Sequence, residues 1–162
     1  MKLISLSQGK FSKVDDEDFE RVVAHKWQYN PYTGYAATHL NTKKQITLHR
    51  FIINAKPGEI TDHINLDKLD NRKSNLRLCT QAQNTQNRLR ASHNKCGYKG
   101  VFLHPSKKWM AYIRHNGKQI YIGLYKDIID AALAYDKKAI ELFGEFARPN
   151  FCTKLKGIEV VG

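Results

Sequence analysis

The sequence predicts an α+β fold divided into two units, and three features carry that expectation. Short alternating apolar runs recur between turn residues, as strands of an antiparallel sheet require. Apolar residues fall at helical spacing late in the chain, at Ile128, Ala132, Tyr135, Ala139 and Leu142, in steps of four, three, four and three. Residues 91–97 have no apolar periodicity and a basic, small-residue composition, which marks a linker. The expected organisation is a first domain over 1–90, a basic linker over 91–97, a second domain over 98–151 and a tail over 152–162.

In the first domain, residues 1–14 read as two short strands about Gln8, Gly9 and Lys10. Residues 14–25 read as a helix whose first turn carries Asp15, Asp16, Glu17 and Asp18, where the macrodipole favours acids, with Phe19, Val22 and Val23 as its apolar stripe. Two strands, 27–29 and 35–38, flank the turn residues Asn30, Pro31 and Gly34. A short strand at 45–48 and a short helix at 49–54 precede Pro57 and Gly58. Residues 61–66 are expected to be extended, with a loop through Lys73. Thr80 and Gln83 have the capping-box spacing that opens a helix, here expected to reach about Arg90. That helix is polar almost all round.

In the second domain, 98–103, 109–114 and 119–124 read as three strands. Asn116-Gly117 is a hairpin signal between the last two. Asp127 caps the final helix and Gly144 ends it.

Charge placement narrows the partner. The chain carries 27 basic and 15 acidic residues, and from Asn71 to Lys126 there are twelve Lys or Arg and no Asp or Glu. An acid-free block of that length attracts a polyanion. A membrane surface would want a helix with a large apolar face, whereas the middle of the block reads as strands, so nucleic acid is the expected partner and no membrane. No apolar run approaches the roughly 18 residues of a span, and the N-terminus lacks the apolar core of a signal peptide. Cys79, Cys96 and Cys152 form no C-x-x-C pair, so neither a zinc site nor a disulfide framework is expected. The expected compartment is intracellular.

Chemistry concentrates in residues 62–84. Asp62-His63 stands twelve residues before Asn75-Leu76-Arg77, and Asn84 follows. A neutral imidazole can take a proton from water near pH 7, which makes His63 the candidate base. Asp62 and Asn84 are the candidate ligands of one divalent ion. One carboxylate and one amide leave most of an octahedron to water and phosphate, which suits Mg2+ or Mn2+, one per chain. A calcium loop through Asn65, Asp67 and Asp70 fails on spacing, because Leu69 occupies a position that needs oxygen. His49 and Arg50 are further candidates beside the site, while His25, His39, His93 and His115 have no visible partner.

Residues 45–90 resemble the HNH nucleases, in particular the branch found in phage and intron homing endonucleases. The resemblance implies a ββα-metal core in which Asp62 is the first ligand, His63 the general base, Asn75 the residue that ties the loop and Asn84 the last ligand. That last position is His in the namesake motif and Asn here. Leu48 to Phe51 resembles the segment that precedes the core in this branch. The resemblance also implies DNA hydrolysis in the cytoplasm of a phage-infected or bacterial host cell.

Residues 97–151 resemble the plant ethylene-response-factor (Apetala-type) DNA-binding domain, through Tyr98-Lys99-Gly100-Val101, Trp109, Ala111, Ile113-Arg114, Ile122-Gly123-Leu124-Tyr125, Ala131 to Asp136, and Phe146-Ala147 to Asn150-Phe151. Such a domain lays its sheet in the major groove of duplex DNA. Carried over, the contacts are Lys99, Phe102, His104, Ser106, Tyr112, Arg114, Gln119 and Tyr121. Lys107, Lys108 and Lys118 on turns, with Arg88 and Arg90 ahead of the linker, complete the expected set. The combined expectation is a site-directed, metal-dependent DNA endonuclease that nicks one strand as a monomer. The alternative is a sequence-specific DNA-binding regulator with an inactive nuclease core; an RNA-processing nuclease is a third reading.

Overall fold

The computed structural model describes residues 1–40, 45–88 and 96–151. The chain divides into two compact units, Met1–Asn84 and Thr85–Gly162. The division falls ahead of the expected linker, of which 91–95 lie outside the described residues, as do Arg90 and the tail.

The first unit opens on an antiparallel hairpin of β1 (Lys2–Ser5) and β2 (Phe11–Val14), with Ile4 opposite Ser12. Gln8 (φ 61°) and Gly9 (φ 64°) turn the chain between them. Helix α1 (Asp16–Val23) follows with three acids in its first turn. Strands β3 (Gln28–Tyr29), β4 (Ala36–His39) and β5 (Gln45–Thr47) form a three-stranded antiparallel sheet. Helix α2 (Leu48–Ile52) leads to β6 (Ile60–His63), which pairs with β7 (Leu76–Cys79) before helix α3 (Gln81–Gln86). The core gathers Ile4, Val14, Val22, Leu48 and Ile52 from four of these elements, with Trp27 just ahead of β3. Burial of that apolar surface, at about 25 cal/mol per Å², holds the pieces together.

Three expectations needed adjustment. The extended run expected over 61–66 stops at His63, because Leu66 takes φ 68° and its N–H returns to the His63 carbonyl at 3.0 Å. Strand β7 was implied only by the ββα resemblance and not marked by its own residues; the hairpin with β6 fixes its bounds. The run 98–103 is a strand only from Val101, since Gly97 (φ 86°) and Gly100 (φ 76°) hold the preceding residues in turns.

The second unit contains β8 (Val101–Leu103), β9 (Trp109–His115) and β10 (Lys118–Tyr125) in an antiparallel sheet with β9 central. Helix α4 (Ile128–Phe143) lies on one face. The Asp127 side chain accepts from the Ile129 N–H at 2.6 Å, and Gly144 (φ 52°) ends the helix. Val101, Ala111, Ala132 and Tyr135 are buried between sheet and helix. Small alanines let the helix approach closely. Among the described residues no helix is long and apolar enough to cross a membrane.

Candidate active site

Strands β6 and β7 with α3 form a consecutive strand–strand–helix unit. Ile60 and Thr61 suit a strand because their branched side chains favour the pleat. Arg50 fastens the approach to it, donating to the carbonyls of Lys56 and Glu59. Thr80 and Gln83 form the reciprocal capping box, with Gln83 Oε1 accepting from Thr80 N–H at 2.8 Å and Thr80 Oγ1 from Gln83 N–H at 3.2 Å. The helix ends at Gln86, short of the expected Arg90.

His63 closes β6 and is 4% exposed. Its ring lies 4.9 Å from that of His49 and 5.8 Å from that of Tyr35, centroid to centroid. Its Nε2 stands 3.2 Å from Asn71 Oδ1. Burial pulls the His63 pKa below the ordinary imidazole value, and Asn71 and the nearby carboxylates of Asp62, Asp67 and Asp70 partly offset it. The ring is therefore neutral at pH 7. His49 goes further: burial, then His63 and Arg50, bring it down to about 3. Its Nε2 is 3.3 Å from Thr47 Oγ1. His49 is thus a buried neutral neighbour of the base, and Arg50 is spent on backbone carbonyls.

Side chains hold the loop from β6 to β7 where regular structure does not. Asn75 accepts from Asn65 N–H at 2.9 Å and donates to the Asp70 carbonyl at 2.7 Å. Asn65 Oδ1 accepts from Asp67 N–H, and Asp67 Oδ1 from Leu69 N–H, as successive Asx turns. Asp70 is buried, pairs with both Nε and Nη2 of Arg72 at 2.7 Å, and accepts from Asn65 Nδ2. These two acids shape the loop.

Asp62 sits opposite Arg77 in the hairpin register, and Arg77 Nε and Nη2 reach its Oδ2 at 3.1 and 2.9 Å. Both side chains are largely buried, so a strong field surrounds the carboxylate. Its charge helps to raise the Tyr35 phenol, after burial, and does the same to the Cys79 thiol. Asn84 is half-buried on α3. Among the described residues no three His, Cys, Asp or Glu converge on a metal position. The Asp62 carboxylate and the Asn84 amide each offer a hard oxygen, the donor type an oxygen-loving cation takes.

In the second unit, strand alternation sends Val101, Ala111 and Ile113 to the helix and leaves Phe102, Tyr112 and Arg114 on the opposite face. Gln119 pairs with Arg114, and Tyr121 with Tyr112, on that same face. The Phe102 and Tyr112 rings stack at 4.8 Å. Lys108 and Lys118 are exposed, as is Lys107, which sits in a turn at φ 59°. His104 Nδ1 and Ser106 Oγ are 2.8 Å apart, so these two first hold their own turn. Lys99 departs from its expected role. Its ammonium donates to the carbonyls of Gln86 and Arg88 at 2.7 and 2.9 Å, and burial, aided by the charge of Arg148, pushes it down to about 8. It fastens a chain segment. The Arg88 side chain is exposed.

Sequence reading missed Ser12, Tyr35, Asn71 and Arg77. Pairing register identifies Arg77 once Asp62 is placed on a hairpin. The other three are brought in by long-range packing, which leaves no periodic signal.

A family profile described as HNH endonuclease matches residues 48–86. An uncharacterised HNH endonuclease of Acanthamoeba polyphaga mimivirus is 37% identical over 154 residues, covering 91% of this chain and 79% of that protein. Shorter matches join the chain to plant proteins. Dehydration-responsive element-binding protein 2A of Oryza sativa is 36% identical over 61 residues, 22% of its length. An ethylene-responsive transcription factor of Medicago truncatula is 31% identical over 87 residues, 32% of its length. The long viral match, with a family profile spanning the strand–strand–helix unit, establishes that this chain belongs to the HNH endonuclease family.

Proposed function

We propose that the protein is a metal-dependent, site-directed DNA endonuclease of the homing type, with His63 as general base. The buried, neutral His63, within the field of the Asp62 carboxylate, is the observation that carries this reading. Water attacks phosphorus as its proton passes to His63, the bond from phosphorus to the 3′ oxygen breaks, and that oxygen takes a proton from solvent. The products carry 5′-phosphate and 3′-hydroxyl ends. Asp62 and Asn84 would hold one Mg2+ or Mn2+, which offsets charge on the phosphate and on the departing oxygen. Asn75 keeps the loop behind His63 closed.

The outward face of the second unit, with Arg114, Gln119, Tyr112 and Tyr121, supports targeting of duplex DNA, since side chains on a sheet can reach base edges in the major groove. Lys107, Lys108 and Lys118, together with Arg88, would take phosphates, and His104 and Ser106 lie at the end of the same sheet. A single site per chain nicks one strand.

His63→Ala tests the assignment on supercoiled plasmid. The expected result is loss of magnesium-dependent, EDTA-sensitive nicking by about 100-fold or more, with DNA binding retained. Full activity of the variant would sink the role of His63. Absence of metal-dependent nicking in the wild type would favour the DNA-binding regulator instead.

A further inference from the structure

The N-terminal hairpin reaches into the catalytic unit. Strand β2 runs alongside the loop, with Lys13 N–H donating to the Leu69 carbonyl at 2.8 Å and Asn71 N–H to the Lys13 carbonyl at 2.9 Å. Ser12 is 0% exposed and Asn71 1%, so water cannot replace their bonds. Ser12 Oγ–H donates to the Leu69 carbonyl at 2.8 Å, which leaves an oxygen lone pair towards Asn71. Asn71 Nδ2 donates to that lone pair at 2.7 Å and to the Lys68 carbonyl at 3.4 Å. A carbonyl can only accept, as can the remaining Ser12 lone pair, so both contacts orient the Asn71 amide the same way. Its Oδ1 must then face His63, where it stands 3.2 Å from Nε2.

We infer that Ser12 and Asn71 are positioning residues which hold the His63 proton on Nε2 and so leave Nδ1 as the basic nitrogen. The inference rests on His63 as general base. Which ring nitrogen carries the proton is set by the bond the other group makes, and an imidazole held in the wrong tautomer loses most of its catalytic power. The family profile begins at residue 48, so Ser12 lies outside the matched region. The hairpin thereby takes part in the site although it carries none of the motif.

The test uses the full-length chain and two readouts. Imidazole 15N NMR on the metal-free protein at neutral pH should show His63 protonated on Nε2 alone. In Ser12→Ala and Asn71→Ala, both tautomers should be populated. Plasmid nicking with magnesium should show kcat falling about 10-fold or more, with KM for DNA within twofold. Asn71→Asp keeps an acceptor towards Nε2 and should restore kcat part of the way from Asn71→Ala. A wild-type spectrum with the proton on Nδ1 would overturn the relay even if a variant fails to fold. Unchanged tautomer and kcat in both alanine variants, beside an inactive His63→Ala, would overturn the relay while leaving the base in place. An active His63→Ala would remove the base itself.

Discussion

Replacing Asn75 by Ala removes two hydrogen bonds from a side chain that is 6% exposed. The Asp70 carbonyl it serves at 2.7 Å lies in a buried bond, and the Asn65 N–H at 2.9 Å in a half-buried one. A buried polar group left without its partner costs about 1–3 kcal/mol, and a half-buried one less because water reaches it. The sum is about 3 kcal/mol, a large share of the roughly 5–15 kcal/mol typical of a domain. Urea unfolding at pH 7 can read this from Trp27, which is buried in the first unit and donates to the Val22 carbonyl at 2.8 Å. A Trp109→Phe background silences the second unit's tryptophan. With a slope of about 1.5 kcal/mol per molar urea, the midpoint should fall by about 2 M. Asn75→Asp should fare no better at pH 7, since it keeps the bond from Asn65 but sets a carboxylate against the Asp70 carbonyl. A loss below about 1 kcal/mol for Asn75→Ala would refute the view that these two bonds hold the loop.

Further outcomes follow from other sites. Gly100→Ala would place a methyl inside the Tyr135 ring and 2.8 Å from the Tyr112 carbonyl oxygen, at φ 76°. It should destabilise the second unit by about 3 kcal/mol in a thermal melt read from Trp109 fluorescence; a neutral effect would contradict the packing of sheet on helix. Arg72, followed by other partners, holds the Asp70 pKa below the usual carboxylate value. Its contribution to stability is therefore complete above the unfolded-state pKa, near 4, and fades as pH falls through the lower folded value. Asp70→Asn should flatten that acid branch, and an unaltered acid midpoint would argue against the pair. DNA binding should weaken steeply with salt, with a log–log slope near −4.5 if about five phosphates are neutralised. A flat response would remove the role given to the acid-free block.

Local rules wrote much of the fold into the sequence. The capping box at Thr80 and Gln83, the Asp127 cap, the Gly144 stop and the turn at Asn116-Gly117 depend on residues within a few positions of one another, so they are legible without a structure. The apolar face of α4 is legible for the same reason. Strand β7 was not, because Leu76–Cys79 is a strand only by virtue of its partner β6. The contacts of Lys99 were also hidden. A surface lysine and a lysine that fastens backbone look alike until the carbonyls of Gln86 and Arg88 are placed around one of them.

At the site the same boundary holds. The sequence alone marked out Asp62, His63, Asn75 and Asn84, since chemistry restricts residue type at a motif's positions. The family assignment then rests on the matches to residues 48–86 and to the viral relative. Tertiary structure decided what surrounds them: the ion pair of Asp62 with Arg77, the imidazole and phenol rings packed on His63, and the bond from His63 to Asn71. Ser12 and Asn71 are 59 residues apart. No local preference records such a contact, because it forms only when the hairpin and the loop are folded against one another and water is excluded from both.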